Sequence, residues 1–177
     1  MKLDLHTHIF EEFLPIYGKS NIFGIVEKLV EKTKSLGLDG VAITEHNDKL
    51  YGHRVKEIVE HYFNSEVLVI PGREIERWPM HLIELDLPCN SGVVTFRFVA
   101  HPGYPGEPDG NFDDIDGIEI ENALHNWHLD QARIMNIAKK HDLVLLSNSD
   151  AHYLDDVGKY YSKVSIADLC QRAHSFL

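Results

Sequence analysis

The sequence predicts an α/β fold, either a barrel or a wound parallel sheet. Three observations predict it. Short apolar runs alternate with longer amphipathic stretches, the order is strand then helix, and residues with ligating chemistry gather just after the strands. Lys2 to His6, Gly40 to Thr44, Val67 to Pro71, His81 to Leu85, Thr95 to Ala100, Gly117 to Glu121 and Leu143 to Ser147 read as seven short strands. Ser20-Asn21 stands where a helix cap belongs. The following Ile22, Ile25, Val26, Leu29 and Val30 share one helical face, and Gly37 ends the helix. Arg54 to Phe63, Leu129 to His141 and Ile166 to Phe176 read as three more helices. Asp86 to Thr95, with Pro88, Asn90 and Gly92, reads as a turn that would leave Met80 to Leu85 and Thr95 to Ala100 antiparallel.

A chain of 177 residues with 44% hydrophobic content is expected to form a single domain over residues 1–177. No apolar run approaches the roughly 20 residues of a membrane span, and the N-terminus lacks the apolar core of a signal peptide. A cytoplasmic location is therefore expected, with no membrane partner. In that compartment the two cysteines, Cys89 and Cys170, are expected as free thiols. The formal net charge of -11 argues against an extended duplex nucleic-acid surface, though not against a nucleotide whose phosphates are held by metal.

The 12 histidines are informative through their placement. His6 and His8 end the first strand, two apart, so both imidazoles can reach one cation. Glu45 and His46 follow the second strand, and Glu74 follows the third. His81 begins the next, His101 closes Thr95 to Ala100, and Asp150 and His152 follow the last. A lone histidine is usually a surface or hydrogen-bonded structural residue. Successive strand ends that each carry imidazole or carboxylate are hard to explain by core packing, which wants apolar groups there. His53, His61, His141 and His174 fall in helical stretches and read as solvated, and His125 and His128 read as loop residues with substrate contact as the lesser alternative. Glu119 and Glu121 share a strand face and are expected to orient ligating imidazoles.

These motifs, in order across residues 2 to 165, resemble the PHP (polymerase and histidinol phosphatase) superfamily. DLHTH (Asp4 to His8) is similar to its opening motif. AITEHN (Ala42 to Asn47), PGREIE (Pro71 to Glu76), HLIEL (His81 to Leu85), AHPGYP (Ala100 to Pro105), IEIEN (Ile118 to Asn122) and NSDAH (Asn148 to His152) follow, with Val157-Gly158 behind them. The resemblance implies a distorted seven-stranded TIM-like (β/α)7 barrel with two to three divalent metal ions, zinc, manganese or iron. The short span from Glu121 to Asp150 leaves little room for a lid domain. One metal would be held by His6, His8, Glu74 and Asp150. A second would take the other oxygen of Glu74 with His81 and His101. A third would take His46 and His152 with an early carboxylate. There the chain departs from the family pattern, offering Glu12 first and Glu11 behind it. His46, Arg73 and Glu74 are the residues expected to act in catalysis, although Arg73 reads equally as a salt bridge on the rim.

The function this implies is a phosphoesterase using a metal-bridging hydroxide on a small phosphorylated substrate, a nucleotide or an oligonucleotide end. The alternatives are an amidohydrolase-like enzyme cleaving a C–N or carboxylic ester bond and a non-catalytic metal-binding module.

Overall fold

A computed structural model describes residues 1–11, 22–108 and 111–173. The strands are β1 (Lys2–Asp4), β2 (Gly40–Ile43), β3 (Leu68–Arg77), β4 (Met80–Cys89), β5 (Gly92–Ala100), β6 (Gly117–Asn122), β7 (Val144–Asn148) and β8 (Ser162–Lys163). The helices are α1 (Ile22–Ser35), α2 (Leu50–Tyr62), α3 (Gln131–His141) and α4 (Ile166–Arg172). The Ser20-Asn21 cap and the end of the C-terminal helix expected beyond residue 173 lie outside the described residues.

One sheet runs in the order β7-β6-β5-β4-β3-β2-β1-β8 and curls into a nearly closed barrel. Among the described residues eight strands, not the expected seven, therefore take part. The extra one, β8, is two residues long and runs antiparallel to β1. It wedges into the seam beside β7, where the Ser162 hydroxyl accepts from Ser147 N at 2.9 Å and donates to Ser147 O at 2.9 Å. At the other end the chain beyond β1 closes the seam directly. Thr7 bridges Ala151, His8 N donates to Ala151 O at 2.7 Å, and Asp150 N donates to His6 O at 2.9 Å.

Side-chain alternation divides the sheet between two environments. Ala42, Ile70, Ile83, Leu85, Phe96 and Phe98 fill the barrel interior. Val41, Ile43 and Val69 face outward against Val26 and Leu29 of α1 and Val55 of α2. Leu82, Val99 and Ile118 face outward against Ile134 and Ala138 of α3. That helix starts where the Asp130 carboxylate accepts Arg133 N at 3.0 Å and stops at Asp142 in the left-handed region. Gly37, at φ +64°, ends α1 as the sequence predicts.

The antiparallel pairing of β4 and β5 was expected, but it is longer than read. Both strands run on until only Asn90-Ser91 remains as the turn, and β3 continues past Pro71 to Arg77, antiparallel to β4. Gly72 permits this, because a Cβ there would lie 2.8 Å from Glu84 O.

Two sequence readings are corrected here. Cys89 and Cys170 form a disulfide with Cα atoms 5.9 Å apart, because α4 folds under the barrel and packs against β4. Free thiols were expected from a reducing compartment. The pairing is instead the chemistry of an oxidising one, so the bond stands against the reducing surroundings from which free thiols were expected. Among the described residues no helix is long and apolar enough to cross a membrane.

Arg73, one residue before Glu74, points to the opposite face of β3. There its Nε donates to Glu84 Oε2 at 2.8 Å, while Arg97 Nε donates to Glu84 Oε1 at 2.7 Å. Burial works against the Glu84 charge, but Arg97 and Arg73 hold its carboxyl below the ordinary value. A depressed carboxyl contributes stability above its unfolded value near 4.5, and that contribution is lost as pH falls through the folded value. Glu84→Gln is expected to destabilise the protein by about 1 to 2 kcal/mol near neutral pH, since it removes the carboxylate that Arg73 and Arg97 share while Arg97 keeps Asp114. The deficit should shrink in acid, and denaturant unfolding at both pH values reads it.

Candidate metal centre

The chain segments that leave β1, β2, β5 and β7, together with β3 and β4, bring the ligating side chains to one end of the barrel. His6 Nδ1 lies 3.0 Å from Glu119 Oε1, so its Nε2 is turned into the pocket. His6 Nε2 and His8 Nε2 stand 2.9 Å apart, and both face Glu74 Oε2, at 3.3 and 2.9 Å. Asp150 Oδ1 lies 3.5 and 3.6 Å from the same two nitrogens. The other oxygen, Glu74 Oε1, lies 2.7 Å from His81 Nδ1 and 3.2 Å from His101 Nε2. His101 Nδ1 donates to the Tyr104 carbonyl at 3.1 Å, which leaves its Nε2 for the pocket.

The spacing fits a cation. Ligand atoms about 2.1 Å from a tetrahedral metal lie roughly 3.4 Å from one another. A proton can link two such atoms, but it cannot serve two imidazole nitrogens and two carboxylates that meet at one point. His8 Nδ1 is buried with no hydrogen-bond partner among the described residues. Groups of donor atoms within 4.8 Å of one another include His6, His8 and Glu74; His6, His101 and Asp150; and Glu74, His81 and His101.

Electrostatics carries the same message. Burial opposes a charge on His6, yet the Asp150 and Glu119 carboxylates raise it well above the ordinary imidazole value. Burial also opposes ionisation of Glu74, yet His101 and His6 hold it well below the carboxylate range. His8, buried and beside His6, is lowered to about 4 and so presents a neutral, ligating imidazole. Three buried carboxylates, Glu74, Glu119 and Asp150, thus create a field that calls for positive charge. His101 (φ 27°) and Asp150 (φ 54°) are held in the left-handed backbone region, a strain that gathers at functional sites.

A further cluster joins His8, Glu11 and His46. Glu11 Oε2 lies 2.7 Å from His46 Nδ1, and Glu11 Oε1 accepts the His46 backbone N–H at 2.5 Å. Glu12, the first choice from sequence, lies outside the described residues; it is Glu11 that meets His46. Glu45, buried beneath, accepts the N–H groups of Phe10 and Glu11 at 2.8 and 3.0 Å, which fixes this segment. Burial pushes its carboxyl up to about 8. His152 stands beside the cluster, its ring 4.9 Å from His8 and 6.5 Å from His46.

Of the two acidic residues expected to orient imidazoles, only Glu119 reaches them. It meets His6 and accepts the His101 backbone N–H at 2.8 Å. A bulge between Glu119 and Glu121 breaks the alternation, and Glu121 instead accepts from Ser147 Oγ at 2.7 Å.

His125, read as a loop residue, reaches the pocket: its Nε2 lies 3.7 Å from Asp150 Oδ2, and its ring is 4.6 Å from that of His101. Asn122 puts it there. The Asn122 side-chain oxygen accepts the N–H groups of Leu124 and His125, while its amide donates to Glu119 and Asp150. An Asn three residues before a His after a strand was the only available signal, and it is a weak one.

Residues 128–174 match a family model described as PHP-associated. Among curated proteins none matches this sequence. Three solved structures share its fold. One is described as a metal-dependent phosphoesterase from Bifidobacterium adolescentis, with a TM-score of 0.67 and 14% identity over 98% of this chain and 96% of that one. Another, described as an amidohydrolase from Chromobacterium violaceum, has a TM-score of 0.64 and 12% identity over 97% of each chain. PsfC from Pseudomonas syringae has a TM-score of 0.57 and 18% identity over 89% of this chain and 78% of its own.

Proposed function

We propose that this chain is a member of the PHP superfamily, a reading supported by the PHP-associated match over residues 128–174, and that its activity is metal-dependent hydrolysis of a phosphate ester. The observation that carries this reading is Glu74. One of its oxygens faces His6, His8 and His46, and the other faces His81 and His101, as a carboxylate shared between cations would. The mixed imidazole and carboxylate set suits zinc, manganese or iron(II) better than magnesium. When bound, such cations supply Lewis acidity and bring the pKa of water towards 7.

The chain's own groups do the rest. Glu119 and the Tyr104 carbonyl fix the ring orientations of His6 and His101. Glu45 fixes the Glu11 segment. Asn122 holds Asp150. His46, exposed at the mouth, and His125 stand where a substrate's oxygens would arrive, and burial and the neighbouring His101 lower His125 to about 4, so it offers a neutral imidazole there. Arg73 faces away and takes no part.

The test is to purify the protein, measure its metals, and assay a panel of phosphorylated metabolites. Phosphate release that a chelator abolishes supports the reading. Release of ammonia or of a carboxylic acid instead would move the enzyme to the amidohydrolase class, and a metal-loaded protein inactive on both panels would make it a binding module. Glu11→Ala is expected to lower the metal stoichiometry by about one equivalent. Unchanged metal content would return that role to Glu12.

A further inference from the structure

Two motif positions that the sequence singles out hold no place among the candidate ligands. Asp4 opens DLHTH, and Gly158 ends the Val157-Gly158 pair behind NSDAH. The fold brings them together. Asp4 is the last residue of β1 and is fully buried. Its Oδ1 accepts Ser149 N at 3.0 Å, and its Oδ2 accepts Ser149 Oγ at 2.5 Å and Gly158 N at 2.8 Å. Burying a carboxylate is costly unless donors surround it, and these donors do.

Asp4 therefore grips the segment from Ser149 to Gly158 at both ends. That segment carries Asp150 and His152, and with Tyr153 and Asp156 it walls a cleft of about 230 Å³ beside the metal centre. Its internal bonds are local turns, such as Asp156 N to Tyr153 O at 3.0 Å and Val157 N to Leu154 O at 3.4 Å. Local turns shape the segment without fixing its place against β1. No strand ladder does so either: among the described residues β1 pairs with β2 and β8, and only the Thr7 bridge to Ala151 joins the two chain ends at the site. Asp150 meanwhile sits at φ 54°, a conformation that persists where its neighbours over-determine it. Gly158, at φ 75°, would place a Cβ 2.8 Å from Leu36 and Leu38, so the N–H that meets Asp4 comes from a backbone that suits glycine.

We propose that Asp4 is a positioning residue of the metal centre: by pinning Ser149 and Gly158 to β1, it holds Asp150 and His152 against His6 and His8. Its oxygens are turned to Ser149 and Gly158, not to the pocket, so it acts through Asp150, whose Oδ1 stands 3.5 and 3.6 Å from the His6 and His8 nitrogens. The inference rests on the metal-centre reading and not on the choice of a phosphate ester.

The test titrates manganese into the metal-stripped protein by calorimetry and records the Tm of each variant alongside. Asp4→Asn keeps the shape but leaves a single acceptor oxygen for the Ser149 and Gly158 donors. It is expected to weaken manganese binding by about 10- to 100-fold, the loss that follows when a group that orients a ligand is replaced. Ser149→Ala removes the hydroxyl bond alone and should weaken binding less, in the same direction. It decides the matter if Asp4→Asn does not fold. Cys170→Ser is the control, since it lowers Tm from beneath the barrel and should bind manganese as the native protein does. Native manganese affinity in both Asp4→Asn and Ser149→Ala, with Tm lowered as in Cys170→Ser, would leave Asp4 a structural role only and overturn the proposal. An equal loss of affinity in Cys170→Ser would overturn it too. A native protein that binds no manganese would sink the metal-centre reading along with it. Manganese effects as expected, without phosphate release from any ester, would keep Asp4 in this role and sink the phosphoesterase reading instead.

Discussion

Glu74→Gln is expected to lower kcat/KM by far more than 100-fold and to remove more than one equivalent of metal, with the fold retained. The reasoning is comparative. Replacing a group that only orients a ligand costs about 10- to 100-fold in affinity or activity. Glu119, which meets His6 and the His101 backbone without entering the pocket itself, is such a group. Glu74 supplies donor atoms to both sides of the centre, so its loss removes two ligand contacts at once. Glutamine keeps the shape but loses the charge that holds the surrounding imidazoles together. Elemental analysis, circular dichroism and steady-state rates for Glu74→Gln and Glu119→Gln side by side give the measurement. A Glu74→Gln protein with full metal content and full rate would remove the shared-carboxylate reading altogether.

Cys170→Ser is expected to cost about 3 kcal/mol of stability and to lower Tm by roughly 6 to 12 °C without changing the catalytic rate. The disulfide closes a loop with a sequence separation of 81, for which chain entropy sets a ceiling of about 4.5 kcal/mol. The expected loss is set below that ceiling because unfolded chains retain structure. The rate should hold because Cys89 and His81 lie at opposite ends of β4, roughly 25 Å apart along the strand. A reductant should bring the native protein down to the variant. Equal melting under oxidising conditions would show that the bond contributes nothing.

The end of the barrel where the site lies was legible because the chemistry leaves marks that spacing preserves. His6-Thr7-His8 and Asp150-Ala151-His152 place candidate ligands two apart after a strand, and apolar packing has no use for imidazole there. Arg73 was half legible. Strand alternation already sets it opposite Glu74, and its adjacency in sequence drew attention to the wrong face. Glu121 was not legible, because a bulge in β6 moves it off the face of Glu119 and nothing in the residue types marks that bulge. Glu11 was ranked behind Glu12 by counting positions, whereas the turn held by Glu45 brings it to His46.

From the sequence alone came the α/β class, the positions of seven of the eight strands and the residue types that gather at their ends, since periodicity and short motifs are local properties of a chain. Tertiary structure alone decided which residues meet: β8 completing the barrel seam, Cys89 reaching Cys170, and His125 arriving beside Asp150. Those meetings join residues far apart along the chain, and their geometry is set by how the sheet curls and closes.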